Sequence, residues 1–286
     1  MMKTILNLCL ISMLFTKLSY GQTAEPAQAQ ATYHFMHVRD TTDRTHPYTE
    51  DLLLLLGRNS SACTSIDARL QIENVVKEVQ NQIKNATDPN HLNLNISAKR
   101  PVSDEYFQFF TAHKSFTKKN LINDYLVEEP MPVINWKIMS DTLTVSGLHC
   151  QKATTAFKGR NYEAWFCPAL PFRSGPWKLQ GLPGLIIEAS DSKKEVQFKF
   201  AGFEQISDQK QLVKLPEDAI RTTQKEFDRL QEVAKTNPSA LSKVAGKSFR
   251  SPLDDIDVSK ISSINVSRPN YGFSKKVNNP IELTEK

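Results

Sequence analysis

Glycine is scarce in this chain, ten residues in 286. Beyond the N-terminus no apolar run approaches the roughly 20 residues that span a bilayer, so no transmembrane segment is expected in the mature chain. Charge of one sign is also missing: 36 basic residues stand against 31 acidic ones. A net +5, evenly spread, argues for neither nucleic acid nor an anionic membrane surface. There is no phosphate loop, GxGxxG, GxSxG elbow, HExxH or paired-cysteine zinc pattern, and no internal repeat. The sequence therefore nominates no catalytic, cofactor-binding or metal-binding residue, and an enzyme is the less favoured reading.

What is there begins with a leader. Lys3 precedes a mostly apolar run from Thr4 to Thr16, followed by Ser19-Tyr20-Gly21 with small residues where a signal peptidase reads. Cleavage is expected between Gly21 and Gln22. Cys9 lies inside the apolar run and the next cysteine is Cys63, so acylation is not expected. The leader carries two lysines and no acid, and its removal takes the net charge from +5 to +3. Residues 22–286 are read as one domain with a polar tail from about 260.

Ala31–Arg39 alternates as a first strand, and Leu52–Leu56 reads as a core segment. Ile72, Val75, Val76, Val79 and Ile83 form one stripe of a helix over Ile66–Ile83. Short β-favouring runs follow at Tyr106–Thr111, Leu121–Glu128 and Val133–Met139, with a turn expected at Ser140-Asp141. A second helix is expected from Glu217 to about Lys235. The pattern implies an α+β fold, mainly antiparallel β, with a large curved sheet and one or two covering helices.

One hairpin specifies its own register. If Lys158-Gly159 is a two-residue turn, Phe157 pairs with Arg160 and, further along, Cys150 faces Cys167 at a non-hydrogen-bonded site. Such sites bring Cα atoms to about 4.5–5.5 Å, within disulfide reach. A Cys150–Cys167 bond, worth on the order of 3 kcal/mol, is the expectation in an oxidising compartment, with two buried thiols as the alternative. Cys63 is left over.

The scarce glycines concentrate. Gly159, Gly175, Gly181 and Gly184 fall within 26 residues. Gly175-Pro176 and Pro183-Gly184 are two turn signals, the second with the Pro-Gly order of a type II turn, and Leu185, Ile186 and Ile187 follow as a buried strand. Gly181-Leu182-Pro183-Gly184-Leu185-Ile186 spells GLPGLI, and the chain resembles the GLPGLI family of exported proteins of Bacteroidota. Asn135-Trp136-Lys137, Cys150-Gln151-Lys152-Ala153, Gly159-Arg160, Ala164-Trp165-Phe166 and the terminal Asn279-Pro280-Ile281-Glu282-Leu283 extend the likeness. That family has no assigned activity. The resemblance implies residence in the periplasm or at the periplasmic face of the outer membrane, with a TonB-dependent outer-membrane receptor as a partner.

Three residue sets were weighed for chemistry. His34 and His37, with His46, are the best metal candidates, yet three residues apart on a strand they point to opposite faces. Ser60 or Ser61 with His113 or His149 is a conceivable nucleophile and base, supported by no spacing. Glu188 and Asp191 are a carboxylate pair, more simply explained by a polar turn at Asp191-Ser192-Lys193-Lys194. The resulting expectation is a non-catalytic envelope adaptor for an outer-membrane transporter or its cargo. Its alternatives are a carrier of a small apolar ligand or peptide and, less favoured, an unrecognised hydrolase.

Overall fold

The computed structural model describes residues 24–88, 90–97, 104–121, 123–208, 210–236, 260–267 and 276–283. The leader, with its expected cleavage between Gly21 and Gln22, lies outside the described residues. In chain order the first strands are β1 (Glu25–Pro26), β2 (Ala29–His37), β3 (Tyr48–Leu56) and β4 (Ser60–Ser65). Helix α1 (Ile66–Lys84) and β5 (Leu92–Ser97) come next. Then follow β6 (Glu105–Phe109), β7 (Lys114–Asn120), β8 (Asp124–Pro130), β9 (Lys137–Val145), β10 (Leu148–Phe157) and β11 (Arg160–Cys167). The described chain closes with β12 (Leu185–Asp191), β13 (Val196–Gln205), β14 (Leu212–Val213), β15 (Ile220–Thr222), α2 (Gln224–Thr236) and β16 (Ile261–Ser267).

Twelve strands form one open sheet in the order β15-β8-β7-β6-β4-β3-β2-β13-β12-β11-β10-β9. Every neighbouring pair is antiparallel except β15 with β8. The expected α+β class is the observed one. Strand β2 shows why these residues make sheet: Ala29, Ala31, Tyr33, Phe35 and His37 alternate inward and are all buried.

Two spans show how far the sheet curls. Strands β8 and β9 are ten places apart, roughly 48 Å if the sheet lay flat. The linker 131–136 nevertheless joins them, and its seven Cα steps reach at most about 25 Å. The sheet is therefore bent into an open barrel, and this linker spans the seam. Curvature also explains how one residue, Trp177, touches both Cys63 on β4 and Phe157 on β10.

The two helices cover small, separate patches. Ser65 caps α1 by accepting from the Ala68 N–H, and Val79 packs on Leu92 and Leu94 of β5. Phe227 of α2 meets Tyr125 of β8 edge to face at 5.6 Å. Outside the barrel, Phe107, Phe116 and Leu126 pack with Ala27 and Val213, which belong to the short β1/β14 pairing and its flank.

The structure departs from the sequence expectations at identifiable places. Ser140-Asp141 is no turn: β9 runs through it, and the chain reverses at Ser146-Gly147, both at positive φ (48° and 81°). Of the run 121–128, residues 124–128 lie in β8, and the sequence reading passes over β7 before it. Helix α2 starts at Gln224 because residues 220–222 extend the sheet as β15. Within the stretch read as a polar tail, 260–267 includes β16, paired in parallel with β5, and 276–283 is packed against the barrel.

Candidate functional site

The segment from Pro168 to Gly184 leaves β11, enters the open barrel and returns into β12. Its anchors are backbone bonds: Ile186 N–H donates to Ser174 O (3.0 Å), Gly181 N–H to Arg173 O (3.0 Å) and Leu185 N–H to Leu170 O (2.9 Å). Gly175 is needed because a Cβ there would lie 2.8 Å from Ile186 Cβ. Gly184 sits at φ +155°, away from the roughly +80° of the expected type II turn. A Cβ on Gly184 would collide with the backbone of Cys167 and Pro168. Gly175, Pro176, Leu182, Gly184, Leu185 and Ile186 are buried, Gly181 is half-buried, and Pro183 stands exposed at the tip.

The segment acts as a plug. Trp177, held at φ +58°, stacks on Phe198 and meets Phe157 and Tyr162, while its backbone N–H donates to Cys63 Sγ at 3.4 Å. Burial pushes the Cys63 thiol up to about 12. Ser174 Oγ bonds Ser61 Oγ (2.9 Å), Ser61 bonds Gln108, and Gln108 donates to Lys178 O. Lys178 reaches Glu129 (2.8 Å) and Glu282 (2.7 Å). Burial alone would lower its ammonium pKa, but the two carboxylates outweigh it and hold Lys178 above its ordinary value. A lysine held charged serves as a structural ion, not a nucleophile.

The hairpin that precedes the plug has the expected register, from Gln151↔Phe166 to Phe157↔Arg160. Lys158 and Gly159 sit at φ +50° and +71°, a type I′ turn. Cys150 and Cys167 are buried, and both are free thiols in this structure, as is Cys63. The bond expected between them is absent here and stays a proposal. Burial pushes Cys150 up to about 11, with the neighbouring Cys167 sulfur adding to the shift.

Gly159 and Arg160 have a second task. A Cβ on Gly159 would lie 2.7 Å from Leu283 Cβ and 2.9 Å from Leu283 O, so only glycine admits the C-terminal segment. Arg160 spends its guanidinium on that segment and on the sheet. Nε donates to Ile281 O, Nη2 to Asn279 Oδ1 and Pro280 O (both 2.7 Å), and Nη1 to Asp191 (2.8 Å) and Glu195 (3.5 Å). His37 Nε2 donates to Asn279 O at 2.8 Å, and Asn279 Nδ2 to Val38 O. The Arg160 and Asp191 side chains are each 2% exposed. The terminal Asn279-Pro280-Ile281-Glu282-Leu283 is thus clamped by the β10–β11 turn.

Where the plug meets the barrel seam, an open cleft of about 690 Å³ remains. Five separate stretches wall it: Gln28, residues 56–60 at the β3–β4 turn, residues from 110 to 113 after β6, the seam linker 131–134, and residues 171–174 with 180–181 of the plug. Trp136 Nε1 donates to Gln180 O (2.8 Å), and Gln180 Nε2 donates to Pro132 O (2.6 Å), fixing linker to plug. Val133, 85% exposed, forms an apolar rim. Arg58 and Arg173 both line the cleft, and neither has an ion pair or side-chain hydrogen bond to a described residue.

The other residues weighed for chemistry are scattered. His34 pairs outside with Asp51 at 2.6 Å while His37 faces the buried clamp. Asp191 is taken by Arg160 and by the N–H groups of Glu195 and Val196. Ser60 and His113 do line the same cleft. Ser60 is 2% exposed and its hydroxyl donates to Glu25 at 2.5 Å, which removes it as a nucleophile poised on His113. Among the described residues no group of three or more His, Cys, Asp or Glu is placed to hold a metal ion, and no helix is long and apolar enough to cross a membrane. Sequence reasoning missed the cleft, the Arg160 clamp and Lys178. Of these, only Gly159-Arg160 carried a signal.

Residues 155–188, from within β10 through the plug to β12, match a family model described as "Protein of unknown function (Porph_ging)". No curated protein sequence matches the chain. Among solved structures, one titled "Structure of PNGF-II in P21 space group" aligns at 12% identity and TM-score 0.47 over 71% of this chain and 32% of its own. A second, "Structure of PNGF-II in C2 space group", aligns at 11% identity and TM-score 0.45 over the same shares. The chain thus spans about a third of the length of these structures.

Proposed function

We propose that the chain is a GLPGLI-type exported protein acting without catalysis in the cell envelope, where its seam cleft receives a segment of an outer-membrane transporter or of that transporter's cargo. The observation that carries this reading is the construction of the cleft. One wall is the plug, whose ends and turns coincide with the residues of the resemblance, and another is a linker with an exposed apolar rim at Val133. A volume of about 690 Å³ lies within the range of sites that enclose small ligands or short segments. The alternative, a carrier of a small apolar ligand, has less support: its place on the concave face is filled by Trp177, Leu179 and Leu182.

The test is crosslinking in the native envelope followed by affinity recovery, comparing the natural protein with Val133→Asp. The rim position tolerates the change because Val133 is already in solvent. We expect a β-barrel receptor to be recovered with the natural protein and lost with the variant at unchanged melting temperature. Recovery of the natural protein alone, or equal recovery of the receptor by both, would overturn the reading.

A further inference from the structure

The chemistry lining the cleft narrows what it takes. Its charged lining is of one sign: Arg58 from the β3–β4 turn and Arg173 from the plug, with no Asp or Glu among the lining residues. Both arginines are exposed and unmatched among the described residues. The Glu25 carboxylate behind the β3–β4 turn accepts from the Asn59 N–H (2.8 Å) and the Ser60 hydroxyl and forms an ion pair with neither arginine. Two unmatched guanidiniums thus share one cleft without a carboxylate in its lining, and guanidinium is the side chain suited to bidentate capture of a carboxylate.

The remaining lining is of two kinds. Met131, Ile134 and Phe172 supply apolar wall, with methionine an adaptable contact for varied side chains. Gln28, Asn59 and Thr111 bring side-chain amide and hydroxyl groups with no side-chain hydrogen bond to a described residue. An aliphatic acid would use the apolar wall and the arginines but leave these groups unanswered, whereas a peptide backbone carries the amides they match. From this we infer that the cleft binds the C-terminal end of an extended peptide, its terminal carboxylate held by Arg58 and Arg173, its last apolar side chains on Met131, Ile134 and Phe172, and its backbone amides met by Gln28, Asn59 and Thr111. The inference rests on the cleft being the binding site named above, and adds the chemistry of its occupant.

The experiment uses the full mature protein and three probes: the peptide Ala-Leu-Ala-Leu-Phe with a free terminal carboxylate, the same peptide as its C-terminal amide, and decanoate. Binding is read by titration of amide resonances and by calorimetry. The free acid should bind and shift residues 131–134, and the amide should bind at least roughly tenfold more weakly, since one charge-assisted pair accounts for that factor. Arg58→Gln and Arg173→Gln, both at exposed positions, should each abolish most of the difference between acid and amide while leaving the melting temperature unchanged. Equal binding of acid and amide would overturn the carboxylate assignment and leave the cleft as a site. Binding of decanoate with the same arginine dependence, but not of the peptide, would overturn the peptide and likewise leave the cleft. No probe shifting residues 131–134 would overturn both readings together.

Discussion

Gly184→Ala is the sharpest test of the plug as a structural device. Alanine would have to adopt φ near +155°, a conformation that costs a non-glycine residue about 1–3 kcal/mol. Its Cβ would also press on the carbonyl of Cys167, 2.7 Å from the carbonyl carbon, and lie 2.9 Å from Pro168 Cα. Both neighbours are backbone at the end of β11, so neither can swing aside as a flexible side chain would, and such overpacking costs about 1–3 kcal/mol more. A sum of about 3 kcal/mol or above lowers the melting temperature of a protein of this size by roughly 6–12 °C. The control is Gly147→Ala, where φ is +81° but nothing lies within 4 Å of the new Cβ, so only the conformational cost applies. The assay is thermal and urea unfolding of the two variants side by side. Melting of Gly184→Ala within about 2 °C of Gly147→Ala would refute the steric half of the reasoning. An unchanged melting temperature with loss of the receptor would make the turn a recognition surface instead.

Arg160→Met removes the cation from a buried pair and from three acceptors of the C-terminal segment. A loss of about 3–5 kcal/mol is expected, with hydrogen exchange accelerating at 278–283 first, and uniform protection there would contradict the clamp. His37 is held down at about 4 by burial and by the guanidiniums of Arg39 and Arg160. Its folded pKa lies below the unfolded 6.5, so the unfolded chain binds the extra proton. Stability is complete above about pH 6.5 and falls as pH drops toward 4, which urea titrations at pH 7 and 5 will register and His37→Gln will flatten. In an oxidising envelope Cys150 and Cys167 should join, giving a mass two hydrogens lighter, while buried Cys63 resists alkylation until unfolding; labelling of Cys63 in the native protein would contradict its burial. The Tyr162 hydroxyl is buried with no hydrogen-bond partner among the described residues, so Tyr162→Phe should be neutral or stabilising within about 1 kcal/mol of the natural protein, as read by urea unfolding.

Local signals made parts of this fold legible. The β10–β11 register follows from a two-residue turn, because a type I′ loop leaves no freedom in the pairing, and α1 follows from one apolar stripe. Strand β7 was illegible because its inward residues Ser115 and Thr117 face the polar network around the plug, where alternation of apolar residues does not apply. Strand β9, an edge with most residues exposed, is split by the sequence reading at Ser140-Asp141, because with neither face buried no apolar alternation carries the strand across that polar pair. The GLPGLI turn was visible as a cluster of special backbone positions, but its role as a plug depends on Cys63, Gln108 and Glu129, which come from three other strands. The cleft was beyond reach, since its walls gather residues from Gln28 to Gly181 and no single stretch carries its signature.

The clamp on the C-terminal segment also sets when this protein can be finished. Asn279 bonds the carbonyl of Val38 across 241 positions, and β2, in the middle of the sheet, pairs with β13. A chain made from its N-terminus onward can pair β2 with β3 early, but the other edge of β2 waits for β13 at 196–205, and the Val38 carbonyl waits for Asn279. Contacts so distant in sequence make for slow folding. Loss of residues 276–283 would leave Arg160 with Asp191 and Glu195 and Lys178 with Glu129, but would strip Arg160 of three acceptors and Lys178 of Glu282. The segment 276–283 thus closes contacts that begin at Val38, and the buried cluster around Arg160 is complete only once that segment has docked.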